Sequence, residues 1–198
     1  MSLPTFTRRE RKARREQLPK GAYVVKILNA KEDKTSFGDK IISILFDIAE
    51  GDHAGFYQNQ YTEAKKNDEN AVWPYDARFS VRIPSDNAEQ WIWDRYNEFF
   101  TSIEDSNDNY TFSSDLGKLK GKIFGGKFRN KHKNGYDNTQ LWWTCSAEDV
   151  RSGDALKYMP RDWSDGSEAP AKHTNRSDAL DGFVNLPTNS DEVEIPFD

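Results

Sequence analysis

The sequence predicts a mainly β protein: a five-stranded barrel with one packed helix between its third and fourth core strands, followed by a disordered acidic tail. Three observations carry this reading. Short runs rich in β-branched and aromatic residues alternate with polar turn segments. Only one stretch, beyond residue 85, spaces its apolar residues by three and four, as a docked helix does. From about Arg161 onward periodicity vanishes and Ser, Asp, Asn, Ala and Pro dominate, a composition that buries too little apolar surface to offset chain entropy.

Taken in order, residues 1–18 form a basic arm containing Arg8, Arg9, Arg11, Lys12, Arg14 and Arg15. Pro19, Lys20 and Gly21 end it, and residues 19–160 are assigned to the folded domain. Tyr23–Leu28 and Ile41–Ile48 read as a strand hairpin across a polar link that contains Gly38. In the second run Ile42, Ile44, Phe46 and Ile48 share one face at period two, leaving Ser43 and Asp47 on a wetter face. Residues 55–61 alternate again and read as a third strand, with Arg78–Ile83 as a possible addition. Asp86 and Glu89 have capping-box spacing, and Trp91, Ile92, Arg95, Tyr96, Phe99, Phe100 and Ile103 then mark one apolar helix face. Leu119–Arg129 and Thr139–Cys145 read as the last two strands, joined through Asn134-Gly135, a favoured hairpin turn pair. Three strands, a helix and two strands is the order of the five-stranded OB barrel.

The 198 residues suffice for one domain with arms, and 35% hydrophobic against 31% charged residues leaves part of the chain outside any core. Six Trp, eight Tyr and twelve Phe supply flat apolar surface for a core or for stacking on bases. The single cysteine, Cys145, allows no intramolecular disulfide. With no apolar N-terminal run, the expectation is a reducing cytoplasm, no signal peptide and no membrane partner. A net charge of −5 argues against a nucleic-acid ligand only if charge is evenly spread, and it is not.

Cations and rings concentrate in the last hairpin. Lys120, Lys122, Lys127, Arg129, Lys131 and Lys133 lie among Phe128 and Tyr136, a mixture that holds phosphates while rings stack on bases. A solvated edge hairpin whose lysines oppose sheet-to-sheet association accounts for the same residues. Gly125-Gly126 allows a sharp bend or the close approach of another backbone or a nucleotide. Trp142 and Trp143 are adjacent in a strand, so their rings are expected on opposite faces. With Leu141, Trp143 and Cys145 inward, Trp142 lies outside beside Gln140 and Thr144. Tyr57 and Tyr61 share a face with Lys65 and Lys66 beyond, and Trp73, Tyr75 and Arg78 form a second group of rings and a cation.

The chain ends in Asp191, Glu192 and Glu194 followed by Ile195, Pro196 and Phe197. This ending resembles that of bacterial and bacteriophage single-stranded-DNA-binding proteins of OB fold, with Asp198 as an extra residue after the Phe. Residues 18–150 also resemble uncharacterised prophage proteins, through LPKGAYVVKILNA, FDIAEGDHAGFY and LKGKIFGGKFRNK. The resemblance implies a phage or prophage origin, work in replication or recombination, and recruitment of protein partners by Ile195, Pro196 and Phe197.

Other chemistries find little support. Gly121–Lys127 matches the start of a phosphate-binding loop, but Phe128 stands where a magnesium-binding hydroxyl belongs. Asp105, Asn107 and Asn109 open like a calcium loop, but Tyr110 replaces the required Gly. Three scattered His and one Cys form no zinc-ligand pair. The expectation is therefore a binder of single-stranded DNA, without a cofactor and not an enzyme, with homo-oligomerisation left open. The rival is a phage-encoded adaptor or inhibitor whose barrel binds a host protein.

Overall fold

The first strand runs well past its apolar residues. In the computed structural model, which describes residues 15–166, strand β1 spans Gly21–Lys34 and β2 spans Lys40–Ile48. They pair antiparallel, and a register shift between Ile27 and Asn29 leaves Leu28 out of the ladder. Such a bulge bends the strand and increases its twist. The link closes on Gly38, whose φ of 90° suits a residue without a Cβ. On β2, Ile42, Ile44, Phe46 and Ile48 are all buried, as period two predicts.

The third element differs from the expectation. Residues 56–67 form helix α1 (Phe56–Asn67), not a strand. Asp47, expected on a wetter face, is buried and supplies the reason. Its Oδ1 accepts the N–H groups of Ile48 at 2.8 Å and Tyr57 at 2.9 Å, and its Oδ2 accepts that of Gln58 at 3.1 Å. A carboxylate projecting from β2 thus holds the amides of the first helical turn, which lack partners of their own. Gly55, left-handed at φ 73°, turns the chain into the helix. Lys65 and Lys66 occupy the last turn, where cations complement the helix dipole.

The third strand is instead β3 (Arg78–Arg82), antiparallel to β2. Helix α2 spans Gln90–Ser106. The capping box anticipated at Asp86 is absent: Ser85 and Ala88 close a separate turn, and the helix begins after Glu89 without a side-chain cap. Phe99, Phe100 and Ile103 face the core. The Phe99 ring meets Phe79 of β3 and packs edge-on to Phe124, at centroid distances of 6.1 and 5.7 Å.

A 3-10 turn at Leu116–Leu119 precedes β4 (Ile123–Lys133), which pairs with β5 (Tyr136–Cys145). Asn134 and Gly135 join them with φ of 51° and 74°, as expected for this turn pair. A short helix α3 (Ala147–Ser152), not anticipated, starts from a capping box of Ser146 and Asp149. Beyond it β6 (Trp163–Ser164) runs parallel to the outer part of β4, where β1 has ended. The fold therefore continues past residue 160, and it begins before 19, since Leu18 is buried in the core.

The six-stranded sheet has the path β3-β2-β1-β4-β5, with β6 joined to β4. Its end strands β3 and β5 form no ladder, so the expected closed barrel is an open sheet. Helix α2 packs against β3, β4 and β5 and bridges that opening. No helix among the described residues is long and apolar enough to cross a membrane. Residues 1–14 of the basic arm and the terminal Ile195, Pro196 and Phe197 lie outside the described residues.

Asp47→Ala leaves three amide groups at the β2–α1 junction without their acceptor, and at typical capping and unsatisfied-donor costs the expected loss is about 2–4 kcal/mol. Urea denaturation measures it. An unchanged midpoint would show that the Asp47 cap does not hold α1 in place.

Candidate nucleic-acid interface

The β3 and β5 edges, which do not pair with each other, leave a cleft of about 720 Å³. Its walls come from the outer end of the β1–β2 hairpin, from β3, from the first turns of α2 and from the β4–β5 hairpin. Among the described residues five cations line it, Lys34, Arg78, Arg82, Arg95 and Lys131, against two carboxylates, Asp33 and Asp76, and Arg82 also pairs with Asp39 at 3.7 Å. Burial raises the pKa of Asp76 against the pull of Arg15 and Lys131, so this carboxylate gives up its proton less readily. The cleft is electropositive within an acidic chain.

Aromatic side chains share the same walls. Tyr75 is 79% exposed and Trp91 48%, and each has an arginine over its ring, Arg78 at 6.0 Å and Arg82 at 5.6 Å from the centroids. Trp142 is half-buried and differently occupied. The Arg129 guanidinium lies 3.4 Å from its ring centroid and that of Arg95 lies 4.5 Å away. Arg95 also approaches Trp143 at 5.5 Å and Phe79 of β3 at 5.9 Å, and its guanidinium donates to the carbonyl of Trp142. The expectation that the two indoles lie on opposite faces fails. A register shift pairs Lys127 with Trp143 and Phe128 with Leu141, so Trp142 is the extra residue of a bulge and both rings come within reach of one arginine. Thr144, expected outside, is buried.

Of the residues singled out from sequence, Tyr75, Arg78, Lys131 and Trp142 line the cleft, and Arg129 joins them through Trp142. The others disperse. Tyr57 and Phe128 are core residues, 2% and 0% exposed. Phe128 packs edge-on to Tyr23 and Phe46, and neither buried ring is available to a ligand. Tyr61 packs on Trp73 at 5.4 Å with Lys65 over it, and Lys66 pairs with Glu63. Trp73 lines a second groove beside α1, which shares Tyr75 and Arg78 with the cleft. Lys120 and Lys122 lie at the other end of β4, with Lys122 over Tyr110; nine residues of strand put Lys122 roughly 30 Å from Lys131. Lys127 lies near Glu98 of α2, whose pKa burial raises and Lys127 lowers. Lys133 and Tyr136 pair at the hairpin tip and do not line the cleft.

Gly125 and Gly126 serve the fold. A Cβ at Gly125 would stand 2.4 Å from the Ser146 carbonyl oxygen, and one at Gly126 would stand 2.7 Å from a Leu141 methyl. The close backbone is the protein's own, at the cap of α3. Sequence reasoning missed Lys34, Phe79, Arg82, Trp91 and Arg95 as site residues. Only Arg95 carried a legible signal, as a cation within the apolar stripe of α2. Among the described residues no group of three or more His, Cys, Asp and Glu is placed to hold a metal ion.

Phe128→Ala should cost about 3–5 kcal/mol, as for other buried rings, while Tyr136→Ala should stay within about 0.5 kcal/mol of the parent. Denaturation midpoints compare them, and equal effects would contradict this sorting of core from surface. The chain matches no protein-family model and no curated protein sequence.

Proposed function

We propose that the protein binds single-stranded DNA in this cleft with little sequence preference, as a binder and not a catalyst. The observation that carries the reading is the coincidence, in one cleft, of five cations with two exposed rings, Tyr75 and Trp91. Phosphates are held by the cations, and unpaired bases stack on the rings, which every base can do. A duplex keeps its base faces stacked and offers the rings nothing. The second groove continues past Tyr75 and Arg78, which extends the path for a polymer.

The strand order supports the finer fold assignment, an OB-type barrel. As in that fold, β1 pairs with both β2 and β4, and OB barrels are partly open and bind oligonucleotides between the loops that join strands 1–2 and 4–5. Here the same two hairpins flank the cleft. The terminal acidic and Ile195-Pro196-Phe197 motif is proposed to recruit replication or recombination proteins, and the setting to be the cytoplasm of a phage-carrying host.

Tryptophan fluorescence titrated with an oligothymidine tests the proposal. With three to five phosphates engaged, the slope of log K against log salt should be about −2 to −3.5. Tyr75→Ala and Trp91→Ala should each weaken binding by about 1–3 kcal/mol, while Lys120→Ala and Lys122→Ala leave it nearly unchanged. Absence of any salt-dependent binding by the parent protein would sink the proposal.

A further inference from the structure

Arg95 and Arg129 reach the same indole from different elements, one from α2 and one from β4. Like charges so placed repel, and burial depresses the pKa of both, with the neighbouring Arg129 adding to the effect on Arg95. Cation–π attraction to the Trp142 ring offsets part of the cost. A carboxylate would offset more, yet among the described residues neither arginine forms an ion pair, although the charge of Asp162 acts on Arg129 and raises its pKa against the effect of burial. Asp162 and Asp76, which act by charge on Arg129 and on Lys131 respectively, are otherwise engaged. Asp162 is held by Lys20 at 2.9 Å and by Asn130, and Asp76 is half-buried with a raised pKa.

Their donors are also largely unspent. Among the described residues Arg95 gives one hydrogen bond, to the Trp142 carbonyl, and the buried Nε of Arg129 has no acceptor. Gln140, the cross-strand partner of Arg129, has a buried Oε1 that is likewise unpaired. Even a contact between those two atoms would leave the charge uncompensated, because an amide carries none. Lys131 adds a third cation on the same wall, its pKa lowered by burial and then by Lys133 and Arg129. A guanidinium presents five N–H groups in a planar fork matched to oxyanions.

We infer that Arg95 and Arg129, held against the Trp142 indole, are a phosphate-binding pair whose ligand is a phosphate oxyanion. Trp142 is then the platform for the cations and not for a base. The inference deepens the strand-binding reading, in which the ligand is a backbone phosphodiester; a free or terminal phosphate offers the same oxyanion.

Three probes separate these sources: an oligothymidine, an abasic oligomer of equal length that keeps the phosphodiesters but has no bases, and inorganic phosphate. The parent protein is compared with Arg129→Gln, which removes the charge at the more accessible position, and with Arg129→Lys and Arg95→Lys, which keep charge but lose the fork. Thermal melts establish that each variant is folded. The abasic oligomer should bind the parent in a salt-dependent manner. Arg129→Gln should weaken that binding about tenfold and make the salt slope shallower by about 0.7, the value for one phosphate contact on a single strand; each Lys variant should fall between.

If Arg129→Gln binds both oligomers with parental affinity and salt slope, the phosphate pair is refuted and strand binding stands. If neither oligomer binds but inorganic phosphate raises the melting temperature of the parent and not of Arg129→Gln, the pair is upheld and strand binding falls. If no probe binds the parent protein, both are refuted.

Discussion

The structure turns on one guanidinium placed where a sheet fails to close. Among the described residues strands β3 and β5 end the sheet without pairing with each other, and Arg95 of α2 stands between them, over Phe79 on one side and Trp142 and Trp143 on the other. A backbone ladder would have sealed this seam and buried its polar groups against each other. A long cationic side chain spans it instead, at a cost in desolvation that its contacts with rings and a carbonyl offset only in part. The seam consequently stays wide enough to be a cleft, and its floor is positively charged.

Two departures from regular strand geometry give the cleft its walls. The bulge at Leu28 lets the long β1 bend so that its first half pairs with β4 while its outer half follows β2. The bulge at Trp142 turns that indole to the side of Arg95 and puts Arg129 against it. Glycines 125 and 126 let α3 and β5 approach β4 closely. These features fix the β1–β2 and β4–β5 hairpins on either side of the opening, with rings and cations directed into it.

An acidic chain can present such a surface because charge acts locally. At physiological salt, exposed charges more than about 8 Å apart are largely screened, so the net −5 of the molecule matters less inside the cleft than the arginines and lysines that line it. Several surface cations are already neutralised by neighbours, as Lys66 is by Glu63 and Arg151 by Glu50. Among the described residues Arg95 and Arg129 have no such ion pair, although Asp162 acts on Arg129 by charge.

Local patterns in the sequence determined the elements whose causes are local. Period-two alternation placed the core face of β2, spacings of three and four placed the buried Phe99, Phe100 and Ile103 of α2 though not Trp91, which is exposed, and Asn134-Gly135 placed the last turn. Where the deciding partner is distant in sequence, only tertiary structure could settle the outcome. Residues 55–61 alternate like a strand, yet Asp47 from β2 receives their amides and makes them a helix. Phe128 sits among lysines like a ligand-stacking ring, yet the alternation of β4 sends it into the core. Trp142 and Trp143 look destined for opposite faces until a bulge, set by pairing with β4, brings both to Arg95. Composition announced that cations and rings would meet, but which of them share a cleft depended on how two edge strands and one helix pack, a relation between segments that no single stretch of sequence encodes.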